Sequence, residues 1–111
     1  MEIQASNYNT QLKKGMLVLV LLKLIGSQEV YVAEILTKLQ ATEFATQEGT
    51  LYPLLARLKK EGCISYRWEE SEAGPPRKYY ALTATGKARA KELETYLKEL
   101  LSEISKLGGS Q

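Results

Sequence analysis

The residues of this chain best suited to chemistry lie in two short stretches, and what they suit is recognition of a polyanion. In the first, Gly49, Thr50, Tyr52, Pro53, Arg57 and Lys60 combine small size, hydroxyl groups and positive charge; in the second, Arg77 and Lys78 stand side by side. A hydroxyl or phenol donates to a phosphate oxygen, an arginine forks onto a phosphate or a guanine edge, and a lysine offers a point charge. Catalysis finds no comparable set. There is no histidine, the single cysteine is Cys63, and every acidic residue is a glutamate. A His-dependent triad or base, a Cys/His metal site, an internal disulfide and an Asp-based phosphoryl-transfer site are therefore excluded. The expectation is a protein that is not an enzyme, with no cofactor and no metal.

The first stretch reads as a helix. Leu51, Leu54, Leu55 and Leu58 fall at i, i+3, i+4 and i+7, a stripe that has to be buried. The opposite face collects Gly49, Thr50, Pro53, Ala56, Arg57 and Lys60, small or hydroxylated at the start and basic toward the end, fit to lie against something wide, flat and negative. Thr46 is a good N-cap for this helix and Gly62 a C′ stop. Pro53 either follows a tighter first turn, with the helix proper starting near Thr50, or bends the helix. Cys63 to Glu69 then alternate as a strand, Ser71 to Pro76 read as a turn, and Arg77 to Leu82 return as a second strand. Helix followed by a hairpin with basic residues at its returning base is the order of a winged helix.

Gly49-Thr50-Leu51-Tyr52-Pro53-Leu54-Leu55, the Arg57-Leu58 and Glu61-Gly62 that follow, and Arg77-Lys78-Tyr79-Tyr80 leading to Leu82-Thr83-x-x-Gly86 closely resemble the PadR family of transcriptional regulators. The resemblance covers roughly residues 12 to 107. It implies a winged helix-turn-helix whose Gly-Thr-x-Tyr-Pro motif meets duplex DNA, and a homodimer acting on an inverted-repeat operator as a repressor. Relatives in the family sense small aromatic or cationic molecules in a cavity at the dimer centre, which here Tyr8, Met16, Tyr96 and Leu100 could line. This chain departs from the family at Val30-Tyr31, where a Gly-Tyr pair usually stands.

Composition bounds the rest. With 111 residues, 44% hydrophobic and 25% charged, the chain is one ordinary globular domain. The net charge of +2 says little about partners, but residues 57 to 91 hold nine basic side chains against four acidic ones, which leaves the remainder at −3. That asymmetry favours a basic face. The longest apolar run, Gly15 to Leu22, is eight residues, well below the ~20 that span a bilayer. A cytoplasmic protein with no membrane partner is expected.

Residues 1–9 read as a flexible arm, 10–83 as the winged helix-turn-helix, 84–107 as a dimerisation helix and 108–111 as a tail. Asn9 or Thr10 is expected to cap a first helix from about Gln11 to Ile25. Its stripe of Leu12, Met16 and Leu19 is flanked by so many further apolar residues that it suits a subunit interface or, alternatively, a central core position. A second helix is expected from about Tyr31 to Gln40. Thr83 or Thr85 caps the last helix, along which Leu93, Leu97, Leu100, Ile104 and Leu107 are spaced 4, 3, 4, 3, a heptad seam for a symmetry mate or for the chain's own domain.

Several side chains carry two readings. Tyr52 is a phosphate ligand or a core-edge aromatic. Arg57 is a base-edge contact or a surface partner of Glu61, and Arg77 and Lys78 grip phosphate or neutralise Glu69 and Glu70 across the hairpin. Trp68 and Cys63 are expected to pack rather than to stack on a ligand or sense redox. The acidic tip at Glu69, Glu70 and Glu72 suits contact by the hairpin's base rather than by its tip. A winged-helix module that binds protein instead of DNA is the competing functional reading.

Overall fold

The structure, a computed structural model, describes residues 2–109, with side chains from Asn7 onward. It is mainly helical with one hairpin: α1 (Glu2–Ser27), α2 (Val32–Gln40), α3 (Glu48–Lys60), β1 (Ile64–Ser71), β2 (Gly74–Leu82) and α4 (Ala84–Leu107). The expected winged helix-turn-helix with a long C-terminal helix is the architecture observed.

The core is built by α1, α2, α3 and the base of the hairpin. Leu21, Leu22, Ile35, Leu51, Leu55 and Leu58 are each 0–1% exposed, so the stripe read from Leu51 to Leu58 is buried; Leu54, at its margin, packs against the same cluster. Cys63 is buried as expected. Tyr80 points inward at 4% exposure while Tyr79, on the other face, meets the Tyr31 ring at 5.2 Å.

Local signals explain the ends of α3. Gly62, at φ +78°, donates its N–H to Lys59 O at 3.0 Å, and Cys63 N–H donates to Leu58 O at 2.9 Å. These are the paired bonds of a Schellman motif, which needs a residue at ease in the left-handed region. The N-cap is Gln47 rather than Thr46. Gln47 O accepts from both Thr50 N at 3.0 Å and Leu51 N at 3.2 Å, a tightened first turn. The helix then runs unbroken through Pro53, whose ring nitrogen leaves the Gly49 carbonyl without its helical donor.

Other expectations are corrected. Helix α1 begins at Glu2, not Gln11; no proline interrupts residues 2–14, so Asn9 and Thr10 lie inside the helix rather than capping it, and the segment read as an arm is helical from Glu2. Residues 110–111 of the expected tail lie outside the described residues. The hairpin is longer than read, with a two-residue Glu72-Ala73 turn and both Pro75 and Pro76 inside β2. A two-stranded sheet has only edge strands, and the register slips between Glu69 and Ser71, so prolines are tolerated there. Val30 forms a bridge with Tyr80, N to O at 3.1 and 2.7 Å, a one-residue third strand that periodicity could not reveal.

Helix α4 starts at a tight joint. Thr83 Oγ1 accepts from Gly86 N–H at 3.0 Å and donates to Gly62 O at 2.6 Å, while Thr83 N–H donates to Cys63 O at 3.0 Å. Thr83, not Thr85, is thus the cap. A Cβ at Gly86 would stand 2.0 Å from Cys63 O. The first half of α4 packs antiparallel on α1, with Lys23 Nζ 3.2 Å from a Glu94 carboxylate oxygen. From Lys98 onward every described residue of α4 is exposed.

Candidate nucleic-acid interface

All the α3 residues expected at the interface, Gly49, Thr50, Tyr52, Pro53, Arg57 and Lys60, are exposed. Helical spacing sorts them into three rows. Gly49, Pro53, Ala56 and Lys60 run along the middle. Thr50 and Arg57 form the edge toward α1 and α4, and Tyr52 and Lys59 form the edge toward the hairpin. The middle row is small until Lys60, so a flat surface can approach the backbone closely.

Arg57 is held by Glu61, Nε to Oε2 at 3.1 Å. The pair is exposed, and such an i,i+4 pair contributes only about 0.3–0.5 kcal/mol, little enough to be exchanged for a stronger acceptor. Arg57 and Glu61 also border a groove of about 590 Å³ between α1, α3 and α4. Met16, Tyr96 and Leu100 line that groove, whereas Tyr8, named with them from the sequence, does not.

The hairpin sets its cations on aromatic rings. The Arg77 guanidinium lies 4.4 Å over the Tyr31 ring. The Lys78 ammonium lies 4.4 Å over Tyr66 and 5.3 Å from Trp68, and Lys59 reaches the Tyr66 ring at 5.7 Å. Glu69 stands opposite Arg77 in the register but pairs with Arg67 instead. Among the described residues, the alternative in which Arg77 and Lys78 neutralise Glu69 and Glu70 is not observed, and both cations are free of carboxylate partners there.

Arg67 lies over the Tyr79 ring at 5.1 Å but, unlike Arg77 and Lys78, is also held by carboxylates. It forks onto Glu29 at 2.8 and 3.0 Å, joining the hairpin to the α1–α2 turn. Hydrogen bonding from Arg67 holds the Glu29 carboxyl below its ordinary range, and Glu29 followed by Glu69 pushes the guanidinium further up. On the other side of the sheet, burial raises the Tyr80 phenol.

Between the N-terminal turns of α2 and α3 and the hairpin lies a groove of about 470 Å³, bordered by Tyr31, Glu48, Tyr52, Trp68, Arg77 and Lys78. Trp68, expected to pack, is 61% exposed. The sequence reading missed Trp68 and Glu48 in this groove and Lys59 beside it on the Tyr66 ring; the helical wheel places Lys59 beside Tyr52, but contact across to a strand is not written in spacing. No group of three or more His, Cys, Asp or Glu among the described residues could hold a metal, and no described helix is long and apolar enough to cross a membrane.

A sequence model of the transcriptional regulator PadR-like family matches residues 21–92. The chain belongs to the PadR family. Among solved structures, this PadR-family chain resembles a PadR-like transcription factor from Bacteroides fragilis, with 42% identity, 91% of this chain and 98% of that one covered, and a TM-score of 0.78. A PadR family transcriptional regulator from Eggerthella lenta is 26% identical yet superposes with a TM-score of 0.91 over 99% of this chain and 96% of its own. An uncharacterized protein of Lysinibacillus sphaericus is 33% identical over 93 residues, covering 81% of this chain and 79% of that protein. The winged-helix architecture and its role in transcription regulation follow from family membership.

Proposed function

We propose that this PadR-family protein binds an inverted-repeat operator as a homodimer and represses transcription, with α3 in the major groove and the hairpin on adjacent backbone. The observation that carries the reading is the juxtaposition of the small, exposed α3 face with the cations Lys59, Lys60, Arg77 and Lys78, none of which is in an ion pair with a carboxylate among the described residues. Gly49 and Thr50 bring backbone N–H groups and a hydroxyl to a phosphate at the helix start. Tyr52 adds a phenol on the groove side, and Arg57, released from Glu61, reads a base edge. Two such helices about a dyad would sit about 34 Å apart, one turn of duplex.

The dimer is carried by apolar surface that this chain leaves uncovered. Leu12 is 63% exposed, Ile104 63% and Leu107 85%, with Met16, Leu19, Leu93 and Leu97 half-buried beside them and Leu100 exposed. A seam of this kind on two antiparallel helices is completed by its own symmetry mate. A small aromatic or cationic effector would then seat where Met16, Tyr96 and Leu100 meet the second copy, and Tyr8 of either subunit would close it.

Fluorescence anisotropy of random and selected duplexes over a salt series, with the solution mass measured alongside, tests the reading. A dimer whose affinity falls steeply with salt is the expected result. A dimer indifferent to DNA at low salt would sink it, and would favour the protein-binding module that the acidic tip at Glu70 and Glu72 also suits.

A further inference from the structure

Trp68 is the one tryptophan of the chain, and its setting is unusual for a structural residue. It lies on the face of β1 shared with Ile64 and Tyr66, opposite Lys78, yet it is 61% exposed while Ile64 at the base of the same face is 2% exposed. Its ring contacts include the Tyr66 ring, edge-on at 6.3 Å, and the Lys78 ammonium. An indole left in water retains most of its apolar surface for a partner and carries a donor-only N–H.

The surroundings indicate which partner. Trp68 shares its groove with Tyr52 of α3 and with Arg77 and Lys78. Both cations rest on rings rather than on carboxylates, so their charge is oriented but not spent. On the tip side, Glu69 and Glu70 border Trp68 and Pro76. The surface that tolerates phosphate therefore ends at Trp68.

We propose that Trp68 is a DNA-contacting residue that marks the outer limit of the wing's footprint: its indole N–H and ring edge seat against the sugar-phosphate backbone of duplex DNA, while Lys78, held between Tyr66 and Trp68, supplies the charge. The wing thus docks by its α3-facing side, and its acidic tip stays off the duplex. This inference rests on the DNA-binding reading above and adds a residue to it. Glu48, the carboxylate bordering the same groove, opposes the phosphate and weakens the fit.

The chain's own fluorescence reports the contact. Labelled duplex anisotropy and Trp68 emission with acrylamide quenching are followed in one titration of the full-length protein. The expected result is a change in Trp68 emission and a loss of quencher access that track the anisotropy, with Trp68→Ala losing about tenfold in affinity, as for a hydrogen bond to a charged group. Trp68→Phe keeps the ring and loses part of that. Duplex binding by anisotropy with unchanged Trp68 emission and quenching, or with Trp68→Ala binding like wild type, would overturn this inference and leave the DNA-binding reading standing. No duplex binding by the wild type would overturn both. Because Trp68 is exposed, thermal unfolding of Trp68→Ala is expected to match wild type, and the wild-type quenching arm does not depend on the variant at all.

Discussion

Gly49 and Gly86 differ in what a methyl group would meet, and the contrast separates folding from binding. A Cβ at Gly49 meets nothing within 4 Å, whereas at Gly86 it would collide with the Cys63 carbonyl and the Leu82 side chain at 2.0 and 2.6 Å. Gly86→Ala is expected to cost about 3 kcal/mol, because the obstacle is backbone and cannot swing aside; a urea midpoint at the wild-type value would contradict that. Gly49→Ala should raise stability by about 0.5 kcal/mol by stiffening the unfolded chain, yet weaken duplex binding by holding the α3 start away from phosphate. For the charged residues, Arg57→Ala should lose about 1–3 kcal/mol on operator and relax specificity. Arg77→Ala should instead weaken all duplexes alike and lower the salt slope by about 1. Equal losses on operator and random DNA for Arg57→Ala would leave that arginine as a partner of Glu61 alone.

At the scale of elements, what could be read from the sequence was what is determined locally. The α3 stripe, the Gly62 stop, the Thr83 cap and the inward Tyr80 each depend on residues within a turn or a strand of one another. The Glu2 start of α1 was hidden because Asn9 and Thr10 look like caps wherever they occur. The extension of β2 through Pro75 and Pro76 depends on a partner strand, and the Val30 bridge on a residue fifty positions away. Trp68 was misread because a hairpin only two strands wide outruns the core that covers its base. The exposure of the candidate α3 residues was legible, but the pairing of cations across the fold, Arg67 with Glu29 and Lys78 with rings, is tertiary. The Glu29 to Arg67 tie gives the hairpin a pH dependence of known sign. A carboxyl whose folded-state pKa is depressed stabilises at neutral pH, and the contribution is lost as pH falls through that lowered value. Amide protection at Val30 and Tyr80 should therefore drop below about pH 4, and Arg67→Gln should flatten the response. Protection that persists in acid would show that the tie does not hold the wing. For Tyr80 the sign is reversed: its raised pKa keeps stability full below the ordinary phenol value and loses it as pH rises beyond, a limb that Tyr80→Phe should remove.

At the scale of the molecule, the helices extend well past the core, giving overall dimensions of 58 × 34 × 21 Å. Leu100→Glu with Ile104→Glu should place charge on the uncovered seam without touching a residue buried in the single chain. The expected outcome by light scattering is a monomer that keeps its fold and binds a half-site as before, with affinity for the full inverted repeat much reduced. A variant that remains dimeric would move the interface elsewhere.

The joint at Thr83 has a mechanical consequence. One hydroxyl ties the end of α3 to the start of α4, and Gly86 presses that start against the Cys63 backbone, so the two helices meet at a hinge with no slack. Helix α4 is then a crank about 36 Å long, fixed at one end to the element that would enter the groove. In the proposed dimer, a tilt of about 5° of this rigid unit displaces the far end of α4 by about 3 Å, and with that end clasped to a second copy the same tilt would be returned to the two α3 helices as a change in their separation. Bending the clasp by a few degrees would be enough to put two reading heads out of step with one turn of duplex.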